Sequence, residues 1–195
     1  MVTTASKAQD SASQPKKISW SEFQKRYLTR EDKYKYEWLN GVVEKTERSM
    51  DYSQLFIAKN LQRFFFQLEF DNKVDGYLAA EGDIFFLENH RRPDLAYLNA
   101  EQMARTAQKE NQVPLFVIEI ISGNDKINKN QRKIQDYYRA GVQVIWEIMP
   151  ELEQVNVYIG KEMSMRSGED LCSAAPVLPE FALTANAIFQ KPSVE

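Results

Sequence analysis

Residues 114–125 read PLFVIEIISGND. Leu115 to Ser122 has the length and the β-branched, aromatic content of a single strand, with Pro114 before it and Gly123 after it. Alternation along a strand sends Phe116, Ile118 and Ile120 to one face and Leu115, Val117, Glu119 and Ile121 to the other. A run that is apolar on both faces marks a central strand of a covered sheet. Glu119 interrupts it. A carboxylate in that position is costly unless a cation or hydrogen-bond donors compensate it. Two readings follow: a structural ion pair with a Lys or Arg, or a working carboxylate that the fold holds in place.

Around this strand the pattern is mixed. Lys126 to Ala140 reads as a long helix with Ile127, Ile134 and Tyr138 on one stripe, stopped by Gly141. On the far side, NAEQMARTAQKEN reads as a short exposed helix. Strands are predicted near Tyr77–Leu87 and Asp94–Asn99, joined by ENHRRP. Tyr52 to Leu68 places Ile57, Leu61, Phe64, Phe65 and Leu68 at helical intervals. YKYEWLNGVVEKTE carries Asn40-Gly41 between two alternating arms, a strong hairpin signal. ISWSEFQKRY reads as a short helix capped by Ser19 or Ser21. VQVIWEIMP and QVNVYIG are two further strands, and LPEFALTANAIF is predicted to form a closing helix. Helices alternating with strands, together with hairpins, give an α/β or α+β domain: a mixed sheet flanked by helices. The expected organisation is a polar, disordered tail over residues 1–17 and a single domain over residues 18–190.

Composition narrows the function. The 195 residues carry a net charge of −3, so no global basic field marks a nucleic-acid binder, although a local basic groove is compatible with that total. One cysteine excludes an intrachain disulfide and a Cys-rich zinc site, and one histidine excludes a His cluster. No run of 18 apolar residues is present, so no membrane partner is expected. The N-terminus lacks an apolar signal core, and a cytoplasmic location is the expectation.

A second carboxylate strengthens the functional reading of Glu119. Asp94 opens the strand PDLAYL directly after Pro93, a place compatible with a strand start. Two acids at the ends of adjacent strands can hold a hard divalent cation such as Mg²⁺, which takes oxygen ligands and keeps several waters. Such an ion polarises a phosphoryl oxygen and lowers the pKa of bound water. Taken alone, Asp94 reads more simply as a turn or cap residue. Lys133 adjoins Ile134, at the border of the buried stripe, and can reach back toward the strand end to orient water or stabilise developing phosphate charge. By spacing alone, a solvated basic face accounts for it more simply.

RPDLAYLNAEQM, PLFVIEIIS and RKIQDYYRAGVQVIWEIMP, in this order, closely resemble the Uma-two family of restriction endonucleases, within the wider PD-(D/E)XK nuclease superfamily. YEWLNGVVE resembles that family's hairpin. The likeness runs from about Ile18 to Phe189. It implies a restriction-endonuclease-like fold with Asp94 and Glu119 as metal-binding carboxylates and the Ile120 backbone carbonyl as a further metal ligand. It places Ile121 where the superfamily has its usual lysine, and Lys133 as the lysine that replaces it from the following helix. Glu37 matches the hairpin glutamate and is implied to join the catalytic acids; Asp83 is a weaker candidate. Asn40-Gly41-Val42 departs from the family's Asp-Gly-Glu, Ser53 stands near a frequent histidine, and Met149 replaces an acid before proline. These departures leave fewer auxiliary acids for a second metal site.

The leading expectation is a Mg²⁺-dependent endonuclease, with Mn²⁺ as an alternative ion, that hydrolyses DNA phosphodiesters through Asp94, Glu119, Lys133 and Glu37. No organic cofactor is expected. Lys126, Lys129 and Arg132, with His90, Arg91 and Arg92, are candidates to contact the phosphate backbone. The alternative is a catalytically silent DNA-binding or protein-interaction module on the same fold. The aromatic content is compatible with a homodimer interface.

Overall fold

The computed structural model describes residues 15–47, 52–121 and 127–193. The large sheet has six strands in the order β10-β9-β8-β7-β6-β3. These are β3 (Tyr77–Ala80), β6 (Leu95–Leu98), β7 (Phe116–Ile120), β8 (Val144–Met149), β9 (Gln154–Ile159) and β10 (Glu162–Ser167). Only β7 and β8 run parallel; the other neighbours in this sheet are antiparallel. The strand that carries Glu119 is thus central, and every one of its five residues is buried.

A helix covers each face of this sheet. Phe116, Ile118 and Ile120 face α2 (Tyr52–Phe70), whose Ile57, Leu61, Phe65 and Leu68 are buried, together with α5 (Ala185–Phe189) and Phe181. Full burial of one such side chain contributes about 1.5–3 kcal/mol, so the four from α2 dominate its attachment. On the opposite face Val117 and Ile145 meet Ile134 and Tyr137 of α4 (Ile127–Ala140). The alternation read for residues 115–121 therefore holds. The α4 stripe differs by one residue: Tyr137 is fully buried while Tyr138 is half-buried, and the side chain of Ile127 lies outside the described residues.

A second sheet, ordered β2-β1-β5-β4, comprises β1 (Tyr34–Leu39), β2 (Val42–Glu47), β4 (Ile84–Phe86) and β5 (Asn89–Arg91). Asn40 and Gly41 both have positive φ, +49° and +88°, as a two-residue turn matched to strand twist requires. On β1, Tyr36 and Trp38 join Phe23 of α1 (Trp20–Phe23) in an aromatic cluster. Ser19 caps α1 by accepting from Glu22 N at 3.2 Å, and a π-helical turn, Gln24–Leu28, follows. α3 (Ala100–Ala107) begins on a capping box between Asn99 and Gln102.

Several expectations are corrected. The expected mixed sheet flanked by helices is present, but among the described residues two more sheets accompany it, the third being the pair β11 (Leu171–Ala174) and β12 (Leu178–Thr184). The strand expected over 77–87 is cut at Glu81, whose φ is +47°, and ENHRRP contains β5, which pairs with both β4 and β1. LPEFALTANAIF is not one helix. Its first seven residues alternate as a strand that buries Phe181 and Leu183, and helix starts only after the Thr184 cap. The proposed tail over 1–17 lies outside the described residues except for Pro15 to Lys17, which are exposed.

Candidate active site

Glu119 lies near the end of β7 on the α4 side of the sheet. Its Oε2 accepts from Lys133 Nζ at 2.9 Å, and its Oε1 accepts a short hydrogen bond from the Tyr137 hydroxyl. Lys133 and Tyr137 are four residues apart, on one face of the helix, so a single turn of α4 supplies both donors. Asp94 directly precedes the neighbouring strand, β6. The antiparallel register pairs Leu95 with Ile118, and one further step brings Asp94 opposite Glu119. Asp94 Oδ2 accepts from Ile120 N at 2.7 Å, and Oδ1 accepts from Lys35 Nζ at 3.2 Å.

The small sheet completes the cluster. Lys35 and Glu37 sit two apart on β1 and so share a face. Glu37 accepts from Arg91 Nη1 and from Arg92 N, each at 3.1 Å. Arg91, 1% exposed, also reaches Glu44 at 3.1 Å and Asp136 at 2.7 Å. Three cations (Lys35, Arg91, Lys133) thus face five carboxylates (Glu37, Glu44, Asp94, Glu119, Asp136) along the seam between the two sheets.

These groups fix one another's charge. Burial pushes Glu37 up, but Lys133, Arg91 and Lys35 with the Arg92 amide outweigh it and hold the carboxyl at about 2. Burial disfavours charged Lys133, yet Glu119, Glu37 and Asp94 raise it well above the ordinary lysine value. Lys35 is raised in the same way, chiefly by Asp94 against burial and against Lys133. Burial and then Glu119 lift Tyr137 far above the usual phenol range, so it stays a neutral donor.

The atoms implied as metal ligands are Asp94, Glu119 and the Ile120 carbonyl, an all-oxygen set suited to a hard divalent ion. Among the described residues no group of three or more His, Cys, Asp or Glu side chains is placed to hold a metal. The set therefore offers two carboxylates and one carbonyl, which fits an ion that keeps several waters. Each oxygen already accepts from the protein: the Ile120 carbonyl takes Gln54 Nε2 at 3.0 Å. Carboxylate and carbonyl oxygens retain a further lone pair.

The structure thus gathers Asp94, Glu119, Lys133, Glu37 and Ile120 in one place. It does not bring in Asp83, which accepts from His90 Nε2 and Arg92 Nε, both at 2.8 Å. The expected phosphate contacts are partly overturned. His90 and Arg91 are buried, and Arg92 is paired to Asp83. Lys129 donates to Thr46, Arg132 is exposed, and Lys126 lies outside the described residues. Sequence reasoning missed Lys35, Tyr137 and Gln54. Period-two spacing with Glu37 pointed to the first, and period-four spacing with Lys133 to the second; Gln54 left no signal.

A family profile described as "Putative restriction endonuclease", Uma2, matches residues 20–186. The chain belongs to the Uma2 family. The Uma2 fold is shared by a solved structure titled a putative nuclease belonging to DUF820 from Anabaena variabilis ATCC 29413. The two superpose with a TM-score of 0.74 at 18% identity, over 88% of this chain and 97% of that one. No curated protein matches the chain. Among the described residues of this Uma2 chain no helix is long and apolar enough to cross a membrane.

Proposed function

We propose that this protein is a divalent-metal-dependent endonuclease that hydrolyses DNA phosphodiester bonds. The observation that carries the reading is the convergence of Asp94, Glu119 and Lys133 at one point, with Glu119 oriented by two donors from a single helical turn. Family membership supports the reaction class. Asp94, Glu119 and the Ile120 carbonyl would hold Mg²⁺ or Mn²⁺, which would supply a water of lowered pKa and a counter-charge for the phosphate. Lys133 stays protonated and places a positive charge where phosphate charge develops. Tyr137 holds the Glu119 carboxylate in orientation. Glu37 keeps Arg91 and Lys133 in register and acts as an electrostatic member of the site. Arg132 and Arg139, exposed on α4, support a phosphate-backbone contact there.

The test is nicking of supercoiled plasmid DNA with Mg²⁺ or Mn²⁺. Activity is expected in the unaltered protein and is lost in Asp94→Ala and in Glu119→Ala. A second reading, a DNA-binding or protein-interaction module without turnover, draws on the fact that every implied ligand oxygen is already hydrogen-bonded within the protein. DNA binding at low salt without cleavage under any divalent metal selects that second reading.

A further inference from the structure

Among the described residues the acid pair meets two lysines, and the reaction described above uses only one. Lys35 comes from β1 of the small sheet and is 9% exposed. Its Nζ lies 3.2 Å from Asp94 Oδ1, while Lys133 Nζ lies 2.9 Å from Glu119 Oε2. Each member of the facing acid pair therefore holds one ammonium group. A divalent ion bound by Asp94 and Glu119 brings its charge to the place where two unit charges already act. Like charges repel strongly in a poorly solvated pocket.

The two lysines are unequally held. The Glu119 that Lys133 contacts is fixed from its other oxygen by Tyr137, on the same face of the same helix. Among the described residues Lys35 makes one longer contact, on a flexible four-carbon stem, from a different sheet. If one ammonium yields, it is Lys35.

We propose that Lys35 is a placeholder for the divalent ion: its ammonium occupies the Asp94 side of the acid pair in the metal-free protein and leaves Asp94 when the ion binds. This rests on the reading of Asp94 and Glu119 as the ion-binding acids. Lys35 then acts on metal-free stability and on metal affinity in opposite directions. It steadies Asp94 when no ion is bound and competes with the ion for that carboxylate.

The experiment is calorimetric titration of the full chain with MnCl₂, paired with thermal melts with and without Mn²⁺. Lys35→Met keeps the stem and removes the charge. It is expected to bind Mn²⁺ about tenfold more tightly, equivalent to roughly 1.4 kcal/mol. It is also expected to melt lower without metal and to gain more from Mn²⁺ than the unaltered protein does. Lys35→Arg keeps the charge and can grip a carboxylate with two donors, so its affinity is expected to be no higher than that of the unaltered protein. Equal or weaker Mn²⁺ binding by Lys35→Met overturns the proposal, as does an equal gain in Lys35→Arg. Should Lys35→Met fail to fold without metal, rescue by Mn²⁺ supports the proposal and failure of rescue overturns it. Absence of Mn²⁺ binding in the unaltered protein and in Lys35→Met, or binding unchanged by Asp94→Asn, removes the underlying metal site. Binding lost in Asp94→Asn but not improved in Lys35→Met removes the placeholder role alone.

Discussion

Glu119 and Glu147 are lateral partners in the parallel pair β7 and β8, on one face of the sheet, and both are buried. Glu119 meets Lys133 and Tyr137 from α4. Glu147 meets Asn156 Nδ2 at 2.9 Å and the Tyr158 hydroxyl at 3.0 Å, both from β9. Each glutamate has its tyrosine. Among the described residues only Glu119 has a lysine as well. The same residue type in the same strand environment is therefore tied to a charged cluster in one case and to neutral donors alone in the other. What decides is the element packed against it. The comparison bears on the two meanings of a buried carboxylate that the sequence left open: Glu119 is an ion-pair partner, and its place opposite Asp94 is what the proposed reaction draws on.

Removing the cation tests the difference most severely. Lys133→Met leaves Glu119 as a buried charge with one neutral donor and should cost about 3–5 kcal/mol in urea unfolding. Glu147→Gln, which keeps volume and most hydrogen bonding, should cost no more than about 1 kcal/mol and leave DNA nicking intact. Similar losses in the two variants would mean that the lysine does not distinguish the sites.

Acid titration probes the same cluster at slightly lower amplitude. Glu37 is held at about 2, below its ordinary 4.5. A depressed carboxyl adds stability where the unfolded carboxyl is already ionised, above about pH 4.5, and that contribution fades as the pH falls toward 2. The loss should be on the order of 3 kcal/mol in the unaltered protein. Glu37→Gln, less stable at neutral pH, should show a flatter stability profile between pH 4.5 and 2. An unchanged slope would place the acid sensitivity elsewhere.

The two tyrosines give the finest comparison. Tyr137→Phe strips a donor from a charged acceptor and should cost about 1.5–3 kcal/mol. Tyr158→Phe leaves Asn156 on the same Glu147 oxygen, so about 1 kcal/mol is expected. Equal costs in chemical denaturation would erase the distinction between the two tyrosines.

Much of this was legible in the chain because local periodicity governs it. The alternation of 115–121 put Glu119 on the face opposite Phe116, Ile118 and Ile120, the face that the fold covers with α4, and Asn40-Gly41 placed the hairpin that presents Lys35 and Glu37. Other features depend on contacts far apart in sequence. Arg91 looked like a solvent-facing loop residue, yet it lies in a strand where Glu37, Glu44 and Asp136 converge on it. Nothing within ENHRRP records those partners. The split at Glu81 and the strand over 178–184 were hidden for a related reason. A single residue in the left-handed region, or a run whose spacing suits two periods, is settled by the neighbour it packs on.

Lys35 and Glu37 belong to the small sheet, Glu119 to the large one, Asp94 to the bend that leads into β6, and Lys133 to the helix laid over the large sheet. The full cluster is therefore a long-range assembly, and no stretch shorter than residues 35–133 contains it. Its formation waits on the docking of one sheet against the other, late in the order of contacts that chain entropy imposes. A chain still growing, or one whose hairpin has come loose, has no assembled cluster. The seam between the sheets thus acts as an interlock that couples the readiness of the site to completion of the fold.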